Sequence, residues 1–288
     1  MSRTLSVIAA LLLAACATAP DVYPEPVSPL AQVVAITEPD WRTPDPQNIL
    51  VIDTNRGRVL VELVPEAAPG HVERVRQLAR EGVYDGRTFF RVIDRFMAQT
   101  GDPKDTGEGG TAKPNLKAEF TWRRAPESAF VALASPAGLE EGFIASLPVV
   151  SQAASYATMT SDQKVSAWGH YCPGVVGMAR DEDPDSANSQ FFIMRQPYPS
   201  LDKRYTAFGR AITGLDVVRA IKAGEPVEAP QDRMERVTVL ADWPEATRPK
   251  VRVIDPRGRW FQAQAARLRE AKGADFSLCD IDIPVEIR

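Results

Sequence analysis

The sequence predicts a mainly β protein, a closed or nearly closed antiparallel barrel with helices at its ends. Three observations carry this. Short runs rich in β-branched and aromatic residues recur between residues 49 and 241, separated by turn-forming residues. Between those limits, and outside residues 121–172, only two stretches, one after Pro69 and one after Gly214, read as helix. Finally, residues 84–102 and 177–194 answer each other: in both, apolar residues alternate with an amide or a cation. Alternation puts one set of side chains on each face of a strand. Two such stretches can build one shallow pocket.

The chain has 288 residues, 44% hydrophobic and 25% charged, enough for a sizeable core. Its net charge of −4 gives no basic face for nucleic acid. The N-terminus has a short positive region at Arg3, then an apolar run over residues 7–15 that is too short to span a bilayer. Leu13-Ala14-Ala15-Cys16 ends it, and this resembles a bacterial lipoprotein signal with its lipobox. The resemblance implies cleavage of residues 1–15, lipidation of Cys16, and a periplasm-facing protein of the bacterial cell envelope held to a membrane by acyl chains. Ordinary secretory cleavage after one of the alanines would also take the protein out of the cytoplasm. Residues 16–47 are proline-rich and read as an extended linker.

The folded part opens with a hairpin, strands over 49–53 and 58–64 around Thr54-Asn55-Arg56-Gly57. Val72, Val75, Leu78 and Ala79 recur at helical spacing, and Gly82 stands where a C-cap would. Strands are expected over 88–93 and 96–100, then a glycine- and lysine-containing loop over 101–114. In the second half, strands are expected over 174–179, 190–194 and 205–212, a short helix over 215–223 ended by Gly224, and a closing strand over 237–240.

Phe89-Phe90-Arg91-Val92-Ile93 with Phe96-Met97-Ala98-Gln99-Thr100-Gly101-Asp102, then Gly177-Met178-Ala179-Arg180, then Ser186-Ala187-Asn188-Ser189-Gln190-Phe191-Phe192-Ile193, resemble the motifs of cyclophilin-type peptidyl-prolyl cis-trans isomerases. Leu201-Asp202 and Phe208-Gly209 follow at the family's distance. The resemblance covers residues 48–120 and 173–241. It implies an eight-stranded antiparallel barrel capped by two α-helices over residues 48–241, interrupted by an insertion at 121–172 and followed by a C-terminal α/β extension at 242–288.

The chemistry fits these residue types. A prolyl amide isomerises against a barrier of roughly 18–20 kcal/mol because it must lose resonance. Binding the twisted amide better than the planar one lowers that barrier without nucleophile, metal or cofactor. Arg91, a permanently charged and rigid donor fork, suits the prolyl nitrogen as its lone pair appears. Phe96, Met97 and Phe192 suit the proline ring, with Leu201 and Tyr205 on the rim by the family pattern. Gln99, Gln190, Ala179 and Arg180 are placed to hold the flanking peptide. Met97 and Gln99 share a strand face, as do Gln190 and Phe192, while Phe191 and Ile193 point into the barrel. The expected partners are proline-containing segments of unfolded or exported proteins, bound by a monomer. A non-catalytic peptide-binding chaperone on the same fold is the alternative.

Departures from the family pattern are Phe90 for histidine, Thr100 for glycine or alanine, Tyr205 for a pocket histidine, and Ser200 for the tryptophan that supports cyclosporin binding in many eukaryotic members. Activity is expected with weak cyclosporin sensitivity. The insertion, about fifty residues long, is too large for a structureless loop in a compact domain. It is expected to be partly folded, as a lid beside the pocket or as a surface subdomain. Its residues 151–168 are polar and compatible with a helix. The tail has a helical stretch over 261–272 and strand-like alternation over 281–287. Cys172 and Cys279 can pair in an oxidising compartment, tying insertion to tail. His71 is expected at the surface. Asp181, Asp183 and Asp185 have calcium-loop spacing but lack its glycine and glutamate, and His170 with Cys172 does not make a zinc site, so no metal is expected.

Overall fold

The computed structural model describes residues 34–288. The signal peptide expected over residues 1–15, the expected lipidation site Cys16 and the first part of the expected linker, up to residue 33, lie outside the described residues. In chain order the strands are β1 (Trp41–Arg42), β2 (Ile49–Thr54), β3 (Gly57–Leu63), β4 (Arg91–Ile93), β5 (Met97–Thr100), β6 (Trp122–Arg124), β7 (Val131–Ala134), β8 (Leu139–Ile144), β9 (Leu147–Gln152), β10 (Val165–Gly169), β11 (Val175–Met178), β12 (Phe191–Met194), β13 (Ala207–Thr213), β14 (Met234–Val239), β15 (Val251–Ile254) and β16 (Val285–Ile287). The α-helices are α1 (Pro69–Arg80), α2 (Leu215–Ala220) and α3 (Arg259–Lys272). No helix among the described residues is long and apolar enough to cross a membrane.

Eight strands form one curled antiparallel sheet in the order β14-β2-β3-β13-β11-β12-β5-β4. The curl brings its ends together, because Gly86 donates to the Met234 carbonyl and Met234 to that of Arg87, both at 2.8 Å. The interior is filled by the inward faces of the strands, with Leu50, Ile52, Val61, Phe191, Ile193 and Phe208 among them. Helix α1 closes one end with Val72, Val75, Leu78 and Ala79, the residues its spacing singled out. Gly82 follows in the left-handed region at φ +67°. His71, expected at the surface, is 1% exposed instead. Its Nδ1 lies 2.6 Å from Glu119 Oε2, and the same carboxylate accepts the Gly70 and His71 N–H groups at the helix start. Glu119 thus supplies the N-cap that Ala68 cannot.

The insertion folds as a five-stranded antiparallel sheet, β6-β10-β9-β8-β7. Over residues 151–168, whose composition is compatible with a helix, the chain instead ends β9, makes a 3₁₀ turn over Ala154–Met159 and returns as β10. The tail contributes α3 and two strands of a three-stranded sheet, β1-β15-β16. Strand β1 comes from the stretch read as linker, which therefore ends well before residue 47. The apolar Trp41 packs against a second core, outside the barrel, that includes Met97, Phe143 and Phe261; Arg42 makes a two-bond ion pair with the buried Glu62 at 2.5 and 2.7 Å, and Asp40 Oδ1 accepts the Trp260 N–H of α3 at 2.9 Å. Cys172 and Cys279 form a disulfide across 107 residues, joining the end of the insertion to the tail.

Candidate active site

Register builds the site. Arg91 in β4 lies opposite Gln99 in β5, and Gln99 lies opposite Phe192 in β12. Directly opposed residues share a face, so a guanidinium, an amide and a phenyl ring stand in one row on the outside of the barrel. Phe192 in turn opposes Gly177 in β11. A Cβ at Gly177 would sit 2.5 Å from Phe192 Cζ, so glycine is what lets the ring lie across that strand. Behind the ring, Tyr171 stacks with centroids 6.0 Å apart, and Tyr205 meets it edge-on at 5.8 Å. Burial pushes the Tyr171 hydroxyl far above its ordinary range, so that ring stays neutral.

The row edges a cavity of about 460 Å³ lined by Arg91, Phe96, Met97, Gln99, Ala179, Arg180, Phe192, Leu201 and Tyr205. Gln190, the remaining residue expected in the site, lines an adjoining cleft of about 330 Å³ and accepts a 3.0 Å bond from Gln99 Nε2. All ten residues singled out in the sequence are therefore brought together. Met97, Phe192 and Leu201 are buried, which gives the cavity an apolar floor. Arg91 is not buried; its side chain is 38% exposed. The Arg180 side chain is already engaged, lying 4.6 Å over the Tyr205 ring and donating to the Arg204 carbonyl. Its guanidinium therefore shapes the rim.

A polar relay fixes the row. Arg91 Nη1 donates to Gln99 Oε1 at 3.2 Å, Gln99 donates to Gln190, and Gln190 Nε2 donates to the carbonyls of Gly107 and Gly109. Those glycines belong to the loop expected over residues 101–114, to which the sequence reading gave no role in the site. Asp102, 0% exposed, organises it: the carboxylate accepts the N–H groups of Lys104, Thr106, Gly107 and Gly109. Burial raises the Asp102 pKa, but these bonds outweigh it and hold the carboxyl below the ordinary aspartate range. An acid followed by a glycine cluster was the available signal. Two departures from the family pattern are absorbed locally. Thr100 donates its hydroxyl to the Thr88 carbonyl at 2.8 Å, and Phe90 packs beneath Gly107. Glu225 was also missed: it lies on the cavity wall and accepts from Arg91 Nε at 2.6 Å. Nothing local links residues so far apart.

Elsewhere, His170, Cys172 and Cys279 offer ligand atoms within 4.8 Å of one another. The two sulfurs are bonded to each other, and His170 Nδ1 is 2.7 Å from Asp202 Oδ2.

No histidine, cysteine or serine is among the described residues lining the main cavity. The fold and site define an eight-stranded antiparallel barrel with a half-apolar cavity on its outer face. The family model for cyclophilin type peptidyl-prolyl cis-trans isomerase/CLD matches residues 49–241. A Brucella suis biovar 1 (strain 1330) protein named "Probable peptidyl-prolyl cis-trans isomerase" is 34% identical over 213 residues, 69% of this chain and 85% of its own. Schizosaccharomyces pombe peptidyl-prolyl cis-trans isomerase ppi1 is 31% identical, over 62% of this chain and 90% of its own. Among solved structures, the cyclophilin AquaCyp293 from Hirschia baltica superposes with a TM-score of 0.79 at 32% identity, covering 88% of this chain and 98% of that one. This chain belongs to the cyclophilin-type peptidyl-prolyl cis-trans isomerases.

Proposed function

We propose that the protein isomerises prolyl bonds in exported polypeptides, with Arg91 as the catalytic residue. The observation that carries this is the single row of Arg91, Gln99 and Phe192 along the cavity edge. A proline ring seated on Phe192, Met97 and Phe96 brings its nitrogen beside the guanidinium. As the amide twists, that nitrogen becomes an acceptor, and the Arg91 hydrogen bond forms only in the twisted state. An interaction of that kind raises kcat rather than merely tightening binding. Gln99, Gln190, Ala179 and the Arg180 backbone flank the peptide on either side, with the Arg180 guanidinium as rim, while the preceding carbonyl swings over Leu201 and Tyr205. The lipobox-like Leu13-Ala14-Ala15-Cys16 supports a lipid anchor on Cys16 and a periplasm-facing site.

Protease-coupled isomerisation of a short Ala-Pro peptide tests the mechanism. Arg91→Ala should lower kcat/KM at least tenfold, about 1.4 kcal/mol of barrier. A well-folded Arg91→Ala protein with undiminished activity would remove Arg91 from the mechanism. For the anchor, growth with labelled fatty acid should mark the wild type and leave Cys16→Ser unmarked and released by osmotic shock.

A further inference from the structure

We propose that Glu225 is a positioning residue for this reaction: its carboxylate fixes the plane of the Arg91 guanidinium. The inference rests on the reading of Arg91 as the group that meets the twisted amide. Three observations lead to it. First, two of the three guanidinium nitrogens are taken on two sides. Nε donates to Glu225 Oε1 at 2.6 Å and Nη1 to Gln99 Oε1 at 3.2 Å. Nη2 has no protein hydrogen-bond partner among the described residues, which leaves it for a ligand. A planar fork held at one nitrogen can still turn; held at two, it cannot.

Second, the backbone fixes where Glu225 stands. Gly224 and Val92 exchange both N–H···O bonds at 2.8 Å, and Val227 donates to the Phe90 carbonyl at 2.9 Å. Phe90 and Val92 flank Arg91, and Gly224 and Val227 bracket Glu225 with Pro226. The loop is stitched to β4 on both sides of the ion pair. A Cβ at Gly224 would lie 2.7 Å from Val227 Cα, so the tight path of the loop calls for glycine.

Third, the pair is poorly suited to stabilising the fold. The Arg91 and Glu225 side chains are 38% and 55% exposed. Ion pairs that open to water contribute little to stability. Orientation is another matter, because small displacements of a reacting group carry large rate costs. The carboxylate faces the wall of the cavity that takes the proline, where aim decides the rate.

The test measures kcat and KM separately on the Ala-Pro peptide for the full chain and for Glu225→Ala, Glu225→Gln, Arg91→Ala and the Arg91→Ala/Glu225→Ala double variant. Glu225→Ala should lower kcat about fivefold with KM changed less than about twofold, the pattern of an interaction felt only in the transition state. Glu225→Gln should recover most of that loss, since its amide oxygen still accepts from Nε. In the Arg91→Ala background, removing Glu225 should change nothing. A faster Glu225→Ala enzyme would overturn the proposal and make the pair an inhibitory contact. An equal loss in both backgrounds, or no rescue by glutamine, would overturn it too. If Arg91→Ala alone leaves activity intact, the reading beneath fails instead, and the two failures are told apart.

Discussion

Asp102 shows how one buried charge can shape a binding surface it does not touch. Its carboxylate gathers four backbone N–H groups of the 103–110 loop, and Gly109 approaches so closely that a Cβ there would overlap Asp102 Oδ1 at 1.8 Å. Asp102→Asn turns one acceptor atom into a donor against these N–H groups, so it should cost about 1–3 kcal/mol in urea unfolding and weaken peptide binding through the displaced loop. The pH dependence follows from the lowered Asp102 pKa. A depressed acid stabilises the fold above its unfolded-state pKa, and that stability drains as pH falls through the folded value. Wild type should therefore lose part of its margin over Asp102→Asn on acidification below the ordinary aspartate range. A margin that does not vary with pH would rule out this role. Gly177→Ala acts on the other wall. The new methyl meets the Phe192 ring, so the ring must tilt into the cavity, raising KM at a stability cost of about 1–3 kcal/mol. Arg91, Gln99 and Phe192 were legible in the sequence because strand alternation and motif order both point to them. Glu225 was not, because the bridge between Val92 and Gly224 that brings it to Arg91 is a tertiary event.

At the scale of elements, the barrel strands were legible because short β-branched and aromatic runs stand between turn residues, a signal that survives where both faces are covered, as in β2, β11 and β12. The insertion was not legible as a sheet. Its β8 carries Glu140, Glu141 and Gly142 and its β9 carries Pro148, residue types depleted in strands, so only the paired fold shows them as a sheet. Glu119 replaced a local cap from 48 residues away, which no capping pattern reports. The pairing of the two cysteines was open in the sequence because pairing depends on distance, and the fold supplies it. That bridge closes a loop long enough to matter. Cys279→Ser should lower stability by about 2–4 kcal/mol, and reducing the wild type should reproduce most of that shift in urea unfolding. Identical curves with and without reductant would show that the cysteines are not joined in solution.

At the scale of the whole molecule, the second core joins barrel, insertion and tail. That core draws Met97, Phe192 and Leu201 from the barrel, Phe143, Leu147 and Val149 from the insertion, and Phe261, Ala265 and Leu278 from the tail. Phe261 meets Phe143 edge-on at 5.4 Å. The ring that supports the tail therefore also supports the insertion, and the insertion shares its core with the pocket floor. A surface subdomain could melt by itself; this one would take the backing of Phe192 and Met97 with it. Phe261→Ala leaves a cavity where three parts meet and should cost about 3–5 kcal/mol. The consequence to measure is cooperativity. Far-UV circular dichroism, which follows the whole chain, and isomerase activity, which follows the pocket, should be lost together in urea, and both midpoints should move down together in the variant. If activity outlasted the circular dichroism signal, or if Phe261→Ala split one transition into two, the barrel would be independent of its additions. If the curves coincide, the extra chain is part of what makes the pocket rigid. Its role in catalysis is then structural support, exerted through the residues behind Phe192.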